Sequence, residues 1–379
     1  MNQATPQMKT TTSEKKLYVA LELSEKSWCL LFGDGGDRVR HDSVPVGDLD
    51  ALSQRIDQVK EKLGLRPDCP VVSCYEAGRD GFWIHRALLA RKVENIIIDP
   101  ASIEVDQRMR RVKTDRVDLR KIMRHLIRHH AQDKEALRVV TVPDEETEDF
   151  RRTGRELERL KKEQTGHLCR IRALLVLVGV RSKKLPKNLG EVHIWNGKPL
   201  PANLRAELER EYARLEVVRQ QISAIAKQRS ERLEAEREKK EPSALLQKVL
   251  LMSTLKGIGE ASASTFVEEA FGWRKFKNRR QVGGFAGLGS APHASGNEEY
   301  DQGITKAGNR RVRTLAVQIA WCWLRFQPDS ALSQWYAKKF DHNARLRRTG
   351  IVALARRLLI ALWRFVEQGV VPAGAVFSN

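Results

Sequence analysis

Residues 16–100 carry the pattern that most restricts the fold. "KLYVALEL" and "SWCLLFGD" are β-rich runs, "GDGGDR" reads as a hairpin turn, and "HDSVPV" predicts a third strand. "DLDALSQRIDQVKEKLGL" then spaces its apolar residues as a helix does and ends at Gly64 and Pro67. "PVVSCYEA" predicts a strand, "GFWIHRALLARKV" a helix, and "NIIIDP" a strand stopped by Pro100. Three strands, a helix, a strand, a helix and a strand make an antiparallel hairpin followed by two right-handed crossovers. That order predicts an α/β domain with a mixed sheet flanked by helices.

Beyond residue 140 the periodicity changes. "EETEDFRRTGRELERLKKEQTGHLCRIRALLVLVGV" and "ANLRAELEREYARLEVVRQQISAIAKQRSERLEAEREKKE" predict long charged helices. Leu208, Tyr212, Leu215, Val218, Ile222 and Ile225 form one apolar stripe in the second. The two helices suit an antiparallel coiled-coil arm or a plain helical layer on the first domain. Between them, 181–203 holds Pro and Gly and reads as an insertion. The expected organisation is a disordered lead-in (1–15), the α/β domain (16–140), a helical arm (145–245), a third, mainly helical domain (246–340) and a helical extension (341–379).

Lys and Arg number 68 against 48 Asp and Glu, a net charge of +20. Such an excess calls for a polyanionic partner, nucleic acid ahead of an anionic membrane surface. "MNQATPQMKTTTSEKK" has no apolar core of a signal peptide, and no apolar run reaches the length of a membrane span. The best candidate for one, "IVALARRLLIALW", carries Arg356 and Arg357 in its middle. Five scattered cysteines without Cys-x-x-Cys pairs argue against a zinc site and a disulfide framework. The expected location is the cytoplasm.

Within this basic chain, "RVKTDRVDLRKI" sets Asp115 and Asp118 one helical turn apart among Arg111, Lys113 and Arg116. Glu22 falls near the end of the first predicted strand, and Glu76 ends "PVVSCYE". Acids at strand ends gather at one edge of an α/β sheet, where a packed helix can add two more. Four such carboxylates need cations, and Mg²⁺ takes hard oxygen ligands and serves phosphate chemistry, alone or in pairs. The flanking bases would hold a phosphodiester backbone. A salt-bridged, exposed helix face explains the same Asp pair more simply, and Asp99, also at a strand end, is a rival ligand.

The third region is glycine-rich. Gly257-Ile258-Gly259 lies between two helical segments and suits either a phosphate-binding turn or a helix-hairpin-helix with no ligand. Lys306, Arg310, Arg311 and Arg313 straddle Gly308 at a helix start, which suits backbone gripping. Ser295, in "HASG", reads as part of a polar loop, with His293 two residues before it. Such a serine is a turn residue or a nucleophile. Two apolar helices follow, near 309–326 and 344–369.

The motifs "YVALELSEKSW", "CYEAGRDGFWIHRAL", "VKTDRVDLRKI", "LKGIGEASASTFVEEAFG", "QVGGFAGLGSAPHASG" and "GITKAGNRRVRTLAV" span residues 17 to 325 in one order. Together they resemble the transposases of the bridge-RNA insertion sequences numbered one-ten and the related pilin-gene DNA invertases. The resemblance implies a RuvC-like, RNase H-type N-terminal domain, a coiled-coil arm and a C-terminal transposase domain. It implies a metal-binding DEDD tetrad at Glu22, Glu76, Asp115 and Asp118, holding Mg²⁺ (two ions), and a catalytic serine at Ser295. It further implies a phosphoserine link to DNA, a structured bridge RNA pairing with donor and target DNA, and a homo-oligomeric active unit. The family's usual first acid is Asp, whereas this chain has Glu22. A DNA invertase of the same architecture and a junction nuclease that uses only the tetrad are the alternative functions.

Overall fold

The computed structural model describes residues 15–36, 38–102, 115–133, 136–295, 298–343 and 345–378. The chain divides into two compact units, residues 1–142 and 143–379.

In the first unit β1 (Leu17–Leu23), β2 (Ser27–Gly33) and β3 (Val39–Pro45) form an antiparallel meander. α1 (Leu49–Lys62) follows, opened by Asp48, whose carboxylate accepts from the Ala51 N–H. β4 (Val71–Glu76), α2 (Trp83–Ala90) and β5 (Glu94–Ile98) complete a sheet of order β3-β2-β1-β4-β5. β4 runs parallel to both β1 and β5. The sheet is therefore mixed, as the element order predicts, and consistent with an RNase H-like arrangement. One face carries α1 and α2; the other carries α3 (Asp115–His130), whose Leu119, Ile122, Met123 and Leu126 pack on Ala20, Val72 and Cys74.

The second unit is mostly helical. α4 (Glu145–Leu177) and α5 (Ala202–Arg237) lie antiparallel. Near one end Ile171 and Leu175 of α4 cluster with Leu208 and Leu215 of α5, and near the other the Arg232 guanidinium covers the Phe150 ring. Residues 181–203 fold back on this pair, where the Tyr212 hydroxyl donates to the Pro186 carbonyl. α6 (Ala244–Ser253) and α7 (Glu260–Phe266) precede a π-helical turn, Val267–Phe271, and α8 (Arg279–Phe285). A hairpin of β6 (Ser290–Ser295) and β7 (Glu298–Ile304) leads to α9 (Arg310–Phe326), α10 (Ala331–Tyr336) and α11 (Arg347–Gln368).

α11 is a core element of this unit. Its Leu354, Leu358, Leu359 and Leu362 are buried with Phe266, Phe271 and Trp323. Each such side chain contributes about 1.5–3 kcal/mol on burial. The chain end is fastened by Gln327, which donates to the Val376 carbonyl and accepts from its N–H, both at 2.7 Å. Among the described residues, no helix is long and apolar enough to cross a membrane.

Candidate functional site

Strand parity decides where the predicted acids of the first unit fall. Leu17, Val19 and Leu21 of β1 and Val71 and Tyr75 of β4 are buried in the core that α1 and α2 cover. Successive residues of a strand alternate faces, so Ala20 and Glu22, and likewise Cys74 and Glu76, belong to the α3 face. β1 and β4 are parallel neighbours with Leu21 opposite Tyr75. Glu22 and Glu76 follow directly, at the carboxyl ends of two adjacent strands. Both line a cleft of about 430 Å³, with Arg79, Asp80 and Ile122 also in its wall. An ion pair between Arg79 and Glu25 sits at the rim.

Asp118 is half-buried on α3, one helical turn before Ile122 and hence on the side of the helix that meets the cleft. Asp115 opens the described part of α3. Its side chain and that of Arg116 lie outside the described residues, as do Arg111 and Lys113 altogether. Asp99 is not part of the cleft wall. One carboxylate oxygen of Glu22 is fully buried. A cation entering here meets carboxylate oxygens, the donor type Mg²⁺ prefers. Among the described residues, no group of three or more His, Cys, Asp or Glu side chains gathers as a metal site. The described part of the cleft supplies two strand-end acids, with the Asp118 turn of α3 beside them.

In the second unit Ser295 does not lie in a loop. It is the last residue of β6, opposite Glu298 at the closed end of the hairpin, and His293 pairs with Tyr300. Loop character is inferred from the polarity of "HASGNEEY", but the dipeptide Gly296-Asn297 between the two runs is a short-hairpin signal. The hairpin returns through a tightly packed glycine crossing. A Cβ on Gly308 would lie 2.5 Å from the Phe285 carbonyl, and one on Gly287 2.8 Å from the Arg313 guanidinium.

The basic residues around Gly308 divide by their partners. Lys306 and Arg310 are exposed. The Arg313 guanidinium donates to the carbonyls of Ala286 and Lys306, so it staples the hairpin base. Arg311 turns inward to Glu158, Glu269 and the Gly154 carbonyl, and so is engaged within the protein rather than held out to solvent. Gly257 has φ +93° and lies against Phe326, where an added Cβ would come 3.1 Å from the Phe326 Cβ, so packing and backbone both favour glycine at this turn. Gly259 caps α7.

Sequence reasoning missed a buried charge cluster in this unit. Glu269, in the π-helical turn, accepts from Arg151 and Arg155 of α4 and from Arg311 and Asn309 next to the start of α9. Its neighbour Glu268 accepts from Arg229 of α5. Burial pushes the Glu268 carboxyl up to about 7, against the pull of Arg229 and Arg311. Burial also opposes ionisation of Glu269, but Arg155, Arg151 and Arg311 outweigh it and hold the group at about 2. Gly154 makes room for this pair: a Cβ there would lie 1.9 Å from Glu268 Oε2.

Comparison with known proteins supplies the remaining evidence. Residues 249–335 match the family model described as "Transposase IS116/IS110/IS902 family". The chain is 39% identical over 383 residues to a putative transposase, y4rJ, of Sinorhizobium fredii, covering 96% of this chain and 95% of that protein. It is 24% identical over 318 residues to the transposase for insertion sequence element IS1111A of Coxiella burnetii, covering 83% and 82%. The match to y4rJ extends over both units, so the likeness is not confined to the segment with the hairpin. The chain belongs to the IS116/IS110/IS902 family of transposases, enzymes that process DNA.

Proposed function

We propose that the protein cleaves and rejoins DNA strands through a phosphoserine intermediate at Ser295, with the carboxylates of the first unit holding Mg²⁺. The observation that carries this reading is the placement of Glu22 and Glu76 at the ends of adjacent parallel strands, in one cleft walled by α3 just after Asp118. Glu22, Glu76, Asp115 and Asp118 would hold the metal. When bound, Mg²⁺ offsets the negative charge of a phosphate under attack.

The Ser295 hydroxyl oxygen attacks the phosphorus of a DNA phosphodiester. An O–P bond forms to serine, the bond to the leaving strand breaks, and the departing oxygen takes up a proton. A hydroxyl of the incoming strand then displaces serine, so the number of phosphodiesters is unchanged. Lys306 and Arg310, exposed beside the hairpin base, supply charge for the DNA backbone. The resemblance to the bridge-RNA insertion sequences supports a structured RNA that selects donor and target DNA, and a homo-oligomer as the active unit.

Replacing Asp118 with Asn removes a negative ligand with little change of shape. Strand cleavage in Mg²⁺ should fall by two or more orders of magnitude, roughly the loss of a principal electrostatic contribution, while DNA binding is kept. Cleavage by Asp118→Asn at the parent's rate would remove Asp118 from the site.

A further inference from the structure

In the second unit a cleft of about 1050 Å³ opens between the base of the β6–β7 hairpin and α11. α11 supplies Arg348, Arg356, Arg357 and Arg364 to its wall, and the i, i+4 row 348, 352, 356, 360, 364 runs along it. That row is about 24 Å long at the helical rise. Arg279 and Arg280 of α8, Lys306 after β7 and Lys339 after α10 contribute the rest of the charge. Among the described residues, no Asp or Glu lines the cleft. Elsewhere in this unit arginines are ion-paired, Arg151, Arg155 and Arg311 with Glu269 and Arg229 with Glu268. Here, among the described residues, none of the cations is in an ion pair with a carboxylate.

Like charges gathered round one cavity repel one another and are held at a cost to stability. A polyanion removes that cost. The floor says which kind, because Leu332, Trp335, Val352 and Ile360 add an apolar surface, and Arg357 lies 3.9 Å over the Trp335 ring. Gly283 leaves room for Arg356 to lie flat, since a Cβ there would come 2.9 Å from its Nε. A duplex hides its bases and would leave the apolar floor unused; a single strand presents phosphates together with sugar and base surface. We infer that this cleft is a docking site for single-stranded DNA, whose backbone is gripped by the two basic walls. Ser290 and Ile304, at the base of the hairpin, line the same cleft. The docked strand therefore passes about 17 Å, five strand residues, from the closed end that carries Ser295.

The inference rests on DNA as the substrate and not on phosphoserine chemistry. The test uses the full chain and a fluorescein-labelled oligothymidine of about 20 nucleotides, with binding read by anisotropy between about 50 and about 200 mM salt. Each phosphate contact adds about 0.7 to the steepness of log affinity against log salt for a single strand. Arg348→Gln with Arg364→Gln should weaken binding about tenfold at the lower salt and reduce that slope by about 1.4. Arg279→Gln with Arg280→Gln should do the same from the opposite side, independently of α11. Lys62→Gln with Lys92→Gln, an equal charge change in the first unit, should leave the slope unaltered. Ser295→Ala should bind as the parent does, so a failure of the phosphoserine reading leaves this result untouched. Parental slopes in both cleft variants, or an equal loss in the Lys62/Lys92 control, would overturn the inference. So would loss of oligouridine RNA binding with oligothymidine binding intact.

Discussion

At the scale of single residues, Glu22 stands where the resemblance implies an aspartate. Glu and Asp carry the same charge, but the added methylene moves the carboxylate by about 1.5 Å when extended. Octahedral Mg²⁺ tolerates little error in ligand distance. Yet Glu22 sits on an intact strand, one residue past the Leu21–Tyr75 pair as Glu76 is, with one oxygen buried and its residue in the wall of the cleft. We therefore expect Glu22→Gln to abolish recombination and Glu22→Asp to retain part of it, measured as recombinant product at limiting Mg²⁺. Glu22→Gln recombining like the parent would mean that the site has another first acid. The placement of Glu22 and Glu76 at strand ends is legible in the sequence because strand parity and strand ends are local properties. The orientation of Arg311 was not, because its partners Glu158, Glu269 and the Gly154 carbonyl belong to segments remote in the chain.

At the scale of elements, the π-helical turn Val267–Phe271 is the knot of the second unit. It puts Glu268 and Glu269 among arginines from α4, α5 and α9, so that three long elements share one buried charge cluster. Such clusters destabilise sharply when one partner is removed. Their pH dependence follows from the two carboxyls. Glu268 holds its proton more tightly in the folded chain, so its contribution is complete below about 4.5 and is lost as pH rises through about 7. Glu269 behaves oppositely, and its contribution is lost only as pH falls below about 4.5 toward about 2. Of these two carboxyls, only Glu268 titrates between pH 5 and 8. Glu268→Gln keeps an acceptor for Arg229 and does not ionise. The parent should lose on the order of 3 kcal/mol relative to this variant across that interval, read from urea unfolding at each pH. A difference that does not change with pH would show that Glu268 ionises as an ordinary carboxyl.

The same cluster shows why elements differ in legibility. α4, α5, α9 and α11 follow helical periodicity and stand where that spacing places them. The β6–β7 hairpin has polar residues at both parities, so no apolar alternation marks it. The pairing of Arg151 with Glu269 spans 118 positions and leaves no local trace.

At the scale of the whole molecule, the charge of +20 is unevenly used. Part of it is paired internally with the Glu268–Glu269 cluster, and part lines the cleft beside α11, where the described residues include no acid. Two units with separate cores carry the two halves of the proposed chemistry: carboxylates at a sheet edge in residues 1–142 and a serine at a hairpin end in residues 143–379. A nuclease that used the carboxylates alone would need no covalent link to DNA, whereas the recombinase proposed here must form one. The most direct measurement is therefore to trap the protein–DNA adduct in Mg²⁺ on a suicide DNA substrate and map the attached peptide by mass spectrometry. The account predicts a single phosphodiester-linked residue, Ser295, and no adduct from Ser295→Ala. An adduct that persists in Ser295→Ala and maps to another residue, such as Ser290, or free cleaved strands without any adduct, would contradict it.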